Sequence, residues 1–181
     1  MKVDNRTILL LVAVLVLTTR KKDGAVQKTS MQPEVPAKPT PTTAADVASV
    51  LVSAYTTVRG DAPPARESWA WPHALSANET AEWSQVWNYN IGNVTTDGRD
   101  PWYSNPHVTA ALRFRAFESL TGGAVAMLQI LNRFGGLDAA DRGDFEAFQA
   151  ACDKYLGSTY PRLDQLVAKY KALVPREGVR S

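Results

Sequence analysis

Ala74-Leu-Ser-Ala-Asn-Glu-Thr-Ala-Glu-Trp83, followed closely by Trp87-Asn-Tyr-Asn-Ile-Gly-Asn-Val94, is the stretch whose reading decides the rest of the chain. Small and apolar residues run into a pair of acids and a tryptophan, and Asn and Gly then open a turn. The pattern predicts a helix with Pro72 in its first turn, ending at about Trp83, with Glu79 about one turn from its end. A carboxylate there faces the negative end of the helix dipole, and neighbouring Trp and Tyr rings exclude water. Both effects favour the protonated form, and a glutamic acid with a raised pKa serves as a general acid at neutral pH.

Working towards the N-terminus, Thr43 and Asp46 form a capping pattern ahead of apolar positions Val47, Val50, Leu51, Ala54, Tyr55 and Val58. These predict an amphipathic helix stopped at Gly60, with a turn at Asp61-Ala-Pro-Pro64. Before it, residues 23–43 are rich in Lys, Gln, Thr and Pro, including Pro33, Pro36, Pro39 and Pro41. That composition predicts a semi-extended linker with nothing to bury.

Residues 1–22 differ in kind. Ile8-Leu-Leu-Leu-Val-Ala-Val-Leu-Val-Leu17 is an unbroken apolar run between Lys2/Arg6 and Arg20-Lys-Lys22. It is shorter than a full span of ~20 residues. No small-x-small cleavage site or lipobox cysteine follows it. An uncleaved membrane anchor through residues 8–19, extended by snorkelling cations, is the expectation, and a removed signal peptide is the alternative. Either places the remainder outside the cytoplasm, facing the periplasm or cell envelope, or in a membrane-containing virion.

Towards the C-terminus the helical period vanishes between Asn88 and Phe117, and Leu112-Arg-Phe-Arg-Ala-Phe117 alternates as a short strand. Helices resume from Ser119 to Gly135-Gly136, from Asp144 to Gly157, and from Pro161 to Pro175 with Leu163, Leu166, Val167, Tyr170 and Val174 inward. The expected fold is therefore mainly α, one helical domain over 44–175 with a small β-hairpin or loop region after the Glu79 helix, and a tail at 176–181.

Composition narrows the chemistry. A net charge of +2 and a pI near 8.7 lack the dense basic patch of a nucleic-acid binder. The single cysteine, Cys152, allows neither an internal disulfide nor a Cys-based zinc site, and is expected to pack as a small hydrophobe. His73 and His107 have no metal-ligand spacing, and phosphate-loop, dinucleotide and nucleophile-elbow motifs are missing from the sequence, so no cofactor or metal is expected.

Glu79-Thr80, Asn88-Tyr-Asn-Ile-Gly-Asn-Val94, Phe114-Arg-Ala-Phe-Glu-Ser119 with Gly122 and Gly123, and Gly143-Asp144 with Tyr155, taken in this order, resemble the lysozyme-like peptidoglycan hydrolases. This broad group contains lytic transglycosylases and bacterial or phage glucosaminidases, and the resemblance covers residues 66–172. It implies an α+β lysozyme-like domain that cleaves the β-1,4 glycan backbone, with Glu79 protonating the glycosidic oxygen and Tyr89, Asn90 and Asn93 lining the sugar site. The family commonly has Gly two residues after the catalytic Glu. Here it is Ala81, which is expected to narrow the cleft slightly.

Glycosidases usually pair two carboxyl groups. Asp97 and Asp100 are the candidates for the second, with turn chemistry as their alternative. If neither serves, the resemblance implies a single-Glu transglycosylase. Glu82 and Glu118 read as a helix-surface charge and a helix-start residue. Trp102 and Tyr103 are candidates for stacking on sugar or for core packing, while Trp83 and Trp87 are assigned to the core. Two functions follow: a peptidoglycan glycosidase tethered to a membrane or virion, or a catalytically inactive lysozyme-like structural or glycan-binding protein.

Overall fold

A computed structural model of the chain describes residues 31–108, 111–157 and 163–173. The apolar run at 8–17, the Pro161 helix start, and Val174 and Pro175 lie outside these residues. Among the described residues no helix is long and apolar enough to cross a membrane.

The protein is mainly helical. α1 (Ala44–Arg59) begins at a reciprocal capping box, in which Thr43 Oγ1 accepts from Asp46 N–H and the Asp46 carboxylate accepts from Thr43 N–H. It ends at Gly60, whose φ of 86° is the left-handed C-cap the sequence predicts. Val47, Leu51, Ala54 and Tyr55 are buried, as the helical spacing requires.

α2 (Glu67–Glu79) differs from its expectation at both ends. It starts five residues before Pro72, which therefore lies inside the helix, and it stops at Glu79 rather than Trp83. Every residue from Ser68 to Ala77 is buried. A helix enclosed on all sides has no polar face, so no period marks its beginning. Ser68, too polar to look like a core residue, turns its hydroxyl back to accept from Ala65 N–H.

Two very short strands, β1 (Trp102–Tyr103) and β2 (Phe114–Arg115), pair antiparallel with Trp102 opposite Arg115 and Tyr103 opposite Phe114. They are shorter than the strand expected over Leu112–Phe117. α3 (Leu120–Arg133) is capped by Ser119, whose hydroxyl accepts from Gly122 N–H. α4 (Gly136–Asp141), too short to show a period, follows the left-handed Gly135. α5 (Phe145–Leu156) is capped by Asp144 and closed by Gly157, and α6 (Leu163–Leu173) buries Leu163, Leu166 and Val167. α1 and α3, and α2 and α6, make the most extensive helix–helix interfaces. One apolar core joins the helices, with Trp71 edge-on to Phe145 at 5.4 Å and tilted against Phe148 at 5.2 Å.

The Pro-rich linker is corrected most. Residues 23–30 lie outside the described set, but from Gln32 to Thr40 the chain is an extended strap bonded to the domain. Val35 N–H donates to Trp102 O and Thr40 N–H to Val86 O, both by backbone. Trp102 Nε1 donates to Gln32 O, and Ser104 Oγ to the Glu34 carboxylate. Proline removes donors from this segment but leaves its carbonyls as acceptors, which composition does not reveal.

Deleting the strap while keeping the Thr43 cap should therefore lower stability. With each bond contributing about 1 kcal/mol net, a chain starting at Thr43 is expected to melt at least ~5 °C below the full-length protein in the same detergent. Equal melting temperatures would show that the strap contributes nothing.

Candidate active site

Glu79 is the last residue of α2, two residues beyond the fully enclosed segment. Thr80 caps the helix, its N–H and hydroxyl both donating to Ser76 O, at 3.1 and 2.7 Å. The chain then turns through three consecutive left-handed residues, Ala81, Glu82 and Trp83, with φ of 48°, 55° and 65°. Each such non-glycine residue costs about 1–2 kcal/mol, so the turn persists because its surroundings determine it. Trp83 is buried against His73 at 4.7 Å, and its Nε1 donates to Ser76 Oγ at 3.2 Å. Glu82, expected on a helix surface, pairs with Lys169 of α6. Ala81 is strained at φ 48°, so it acts on backbone conformation.

The Asn88–Val94 turn closes over this end of α2. Ser76 Oγ donates to Ile91 O at 2.7 Å, and the Asn93 amide donates to Glu79 O. Tyr155 on α5 donates its hydroxyl to Gly92 O. Gly92 must be glycine, since a β-carbon would meet Met127 Cγ at 2.6 Å and the Tyr155 hydroxyl at 2.8 Å.

Glu79 keeps partial solvent access as a residue, yet its carboxyl is crowded by protein. Burial pushes its pKa up to about 8, opposed by a hydrogen bond from the Asn93 side chain. Burial, reinforced by nearby negative charge that includes Glu79, holds the Cys152 thiol and the Tyr155 hydroxyl well above their ordinary values. All three groups are therefore protonated near neutrality, and one of them, Glu79, titrates within reach of it.

The remaining expected site residues separate. Asn93 joins Glu79, and Tyr89, with φ 59°, is exposed four residues before Asn93. Asn90 is fully buried, its amide donating to Val94 O and Arg115 O and its oxygen accepting from Val94 N–H. It shapes the turn and has no face for sugar. Tyr103 is fully buried against Phe114, and Trp102 is covered by the Arg113 guanidinium at 5.0 Å. Asp97 is held by Arg99 in its own turn, which keeps its carboxyl below the ordinary range, and Asp100 pairs with Arg115 at 3.3 Å. Neither contributes to the Glu79 shift.

His73 is buried with Nε2 2.8 Å from Ala44 O, and His107 stacks near Trp87 at 5.7 Å. Among the described residues no cluster of His, Cys, Asp and Glu could hold a metal ion. Ser76 and Cys152 were not anticipated here. A serine one turn before Glu79 is the only hint of the first, and a shared face of α5 with Tyr155 is the hint of the second. Compared with protein-family models, curated proteins and solved structures, the chain matches none.

Two stability outcomes follow. A carboxyl raised from 4.5 to about 8 makes the folded state hold a proton that the unfolded state releases, so its contribution is complete below pH ~4.5 and is lost as pH rises to about 8. Glu79→Gln removes that dependence. The variant should melt above wild type at pH 8.5, with the difference shrinking as pH falls towards 5. Ala81→Gly should stabilise by ~0.5–1 kcal/mol, the relieved strain outweighing the entropy of glycine, as measured by denaturant unfolding.

Proposed function

We propose that this protein is a lysozyme-like peptidoglycan glycosidase in which Glu79 is the general acid, held to a membrane or virion through residues 8–19. What carries the reading is the state of Glu79: a carboxyl at the end of an enclosed helix, buried and protonated up to a pH of about 8, on a residue that keeps partial solvent exposure, and flanked by the turn that carries Asn93. The left-handed conformation of Ala81 adds support, because it gives a backbone reason for glycine at that place in the resembling family.

In this mechanism Glu79 donates its proton to the glycosidic oxygen as the C1–O bond breaks, leaving positive charge on the sugar ring. The resulting carboxylate then accepts a proton from the attacking nucleophile. With Asp97 and Asp100 engaged by Arg99 and Arg115, the nucleophile that needs no second carboxylate is the sugar's own 6-hydroxyl. Its attack on C1 closes a 1,6-anhydro ring and returns the proton to Glu79. Protonated Tyr155 fixes Gly92 and hence the turn, and is a positioning residue.

Digestion of purified murein tests this. Glu79→Gln should retain the fold and lose at least ~100-fold in cleavage, since general acid catalysis contributes 10²–10⁴-fold. Wild-type cleavage should decline as pH rises through about 8, where Glu79 loses its proton. Mass spectrometry should find 1,6-anhydromuramic ends, and Asp97→Asn and Asp100→Asn should change the rate little. Reducing ends alone, with a ~100-fold loss in either Asp variant, would instead assign a two-carboxylate muramidase or glucosaminidase. Absence of cleavage by wild type would leave the inactive glycan-binding reading.

A further inference from the structure

The segment that fixes the start of the Asn88–Val94 turn lies outside residues 66–172, the stretch that carries the family resemblance. Asn88 is buried and left-handed at φ 47°. Its N–H donates to Lys38 O at 2.9 Å, its Nδ2 donates to Pro36 O at 3.1 Å, and its Oδ1 accepts from Lys38 N–H at 2.6 Å. Its carbonyl accepts from Phe117 N–H at 3.0 Å. All but the last of these bonds go to the strap.

Tyr89 is left-handed as well, at φ 59°, a costly conformation for tyrosine. Its N–H donates to Thr40 Oγ1 at 3.1 Å, and its carbonyl lies where a β-carbon on Gly123 would collide with it. Thr40 is seated in turn by its own N–H, which donates to Val86 O at 2.9 Å. Further along, Ser76 and Tyr155 hold the carbonyls of Ile91 and Gly92, and the Asn93 amide meets both the carbonyl and the side chain of Glu79. Ser76 and Tyr155 therefore grip the turn beyond its left-handed pair, and the strap grips the pair itself. Untied from Lys38 and Thr40, residues 88 and 89 relax towards ordinary backbone conformations, and the path that aims Asn93 changes direction.

We infer that the strap is a working part of the site: Lys38 and Thr40, acting through Asn88 and Tyr89, are positioning residues that set the hydrogen bond from Asn93 to the Glu79 carboxyl. What this does to cleavage rests on the proposed role of Glu79 as general acid, whereas what it does to the Glu79 proton does not. The Asn93 bond favours the ionised carboxyl and so opposes burial. Its loss leaves burial unopposed and makes Glu79 hold its proton to higher pH. The titratable groups coupled to Glu79 from α5, Cys152 and Tyr155, are held protonated well above their ordinary values, and Lys169 of α6 is paired with Glu82.

Carbon-13 NMR of the glutamate carboxyl carbons, on the full-length protein in detergent, follows that proton directly, with Glu79→Gln assigning the resonance. Thr40→Val keeps the shape of the side chain and removes the acceptor of Tyr89 N–H. Asn88→Gly keeps the left-handed backbone and removes the side-chain bonds to Lys38 and Pro36. Each should raise the Glu79 titration midpoint by about half a pH unit. Thr40→Ser, which keeps the hydroxyl, should leave the midpoint at the parent value. Asn93→Gly should raise it at least as far, and adding Thr40→Val to Asn93→Gly should move it no further, because the strap acts through that amide. Midpoints at the parent value in Thr40→Val and Asn88→Gly, whatever their melting temperatures, overturn the proposal. So does a further rise in the double variant, and so does a fall in the midpoint, which would make the strap a shield against water. The two readings fail separately. Strap-dependent midpoints without murein cleavage by wild type remove the catalytic role of Glu79 and keep the positioning, whereas cleavage whose decline with pH is the same in both strap variants as in wild type does the reverse.

Discussion

The enclosure of α2 is the constraint on which the rest depends. Ten consecutive residues, Ser68 to Ala77, are buried, and only the helix ends approach solvent. A titratable group inside that segment would have to be neutral or fully paired. His73 illustrates this, since burial lowers its pKa and its ring is held between Ala44 O and Trp83. Glu79 follows the enclosed segment by two residues, so its carboxyl is desolvated while the residue as a whole stays partly exposed. The same packing that gives the domain its core therefore sets the proton affinity of the Glu79 carboxyl.

Leaving such a helix requires an abrupt turn, and the chain makes it with six non-glycine residues at positive φ in two groups, 81–83 and 88–93. Asparagine at 88 and 93 eases the second group, because its short polar side chain tolerates that region. Ala81, Glu82, Trp83 and Tyr89 have no such excuse, and the last three are held by contacts from outside: Ser76 and His73 for the tryptophan, Lys169 for the glutamate, Thr40 and Gly123 for the tyrosine. α6 and the strap thus secure the two strained turns that flank Glu79. Strain concentrated beside a carboxyl with a displaced pKa is the distribution expected of a functional site.

What the sequence made legible was local chemistry. Thr43, Ser119 and Asp144 mark helix starts because capping needs one hydroxyl or carboxylate at a fixed offset, and Gly60 and Gly157 mark ends because the left-handed cap needs glycine. The proximity of Glu79 and Asn93 was legible for the same reason, the neighbourhood of a helix end and a turn. The beginning of α2 was hidden because enclosure on every face erases the period. Asn90 and Asn93 look alike in sequence, and only tertiary packing decides that one feeds the backbone of the β region while the other reaches Glu79. Tyr103 and Trp102 divide similarly, one turned into the core and one covered by an arginine.

The strap also changes what a tether means for this protein. Read as a free linker, 23–43 would let the domain range over 21 residues, up to about 75 Å when fully extended. Because the bonded segment begins at Gln32, the chain between Lys22 and the domain is nine residues, at most about 32 Å. On the proposed membrane attachment, the candidate site is held close to the anchor's surface and cannot sample distant glycan. The strap meets the domain first at Gln32, whose N–H donates to Gly98 O, and then at Val35, and only beyond these do Lys38 and Thr40 hold Asn88 and Tyr89 in their left-handed conformation.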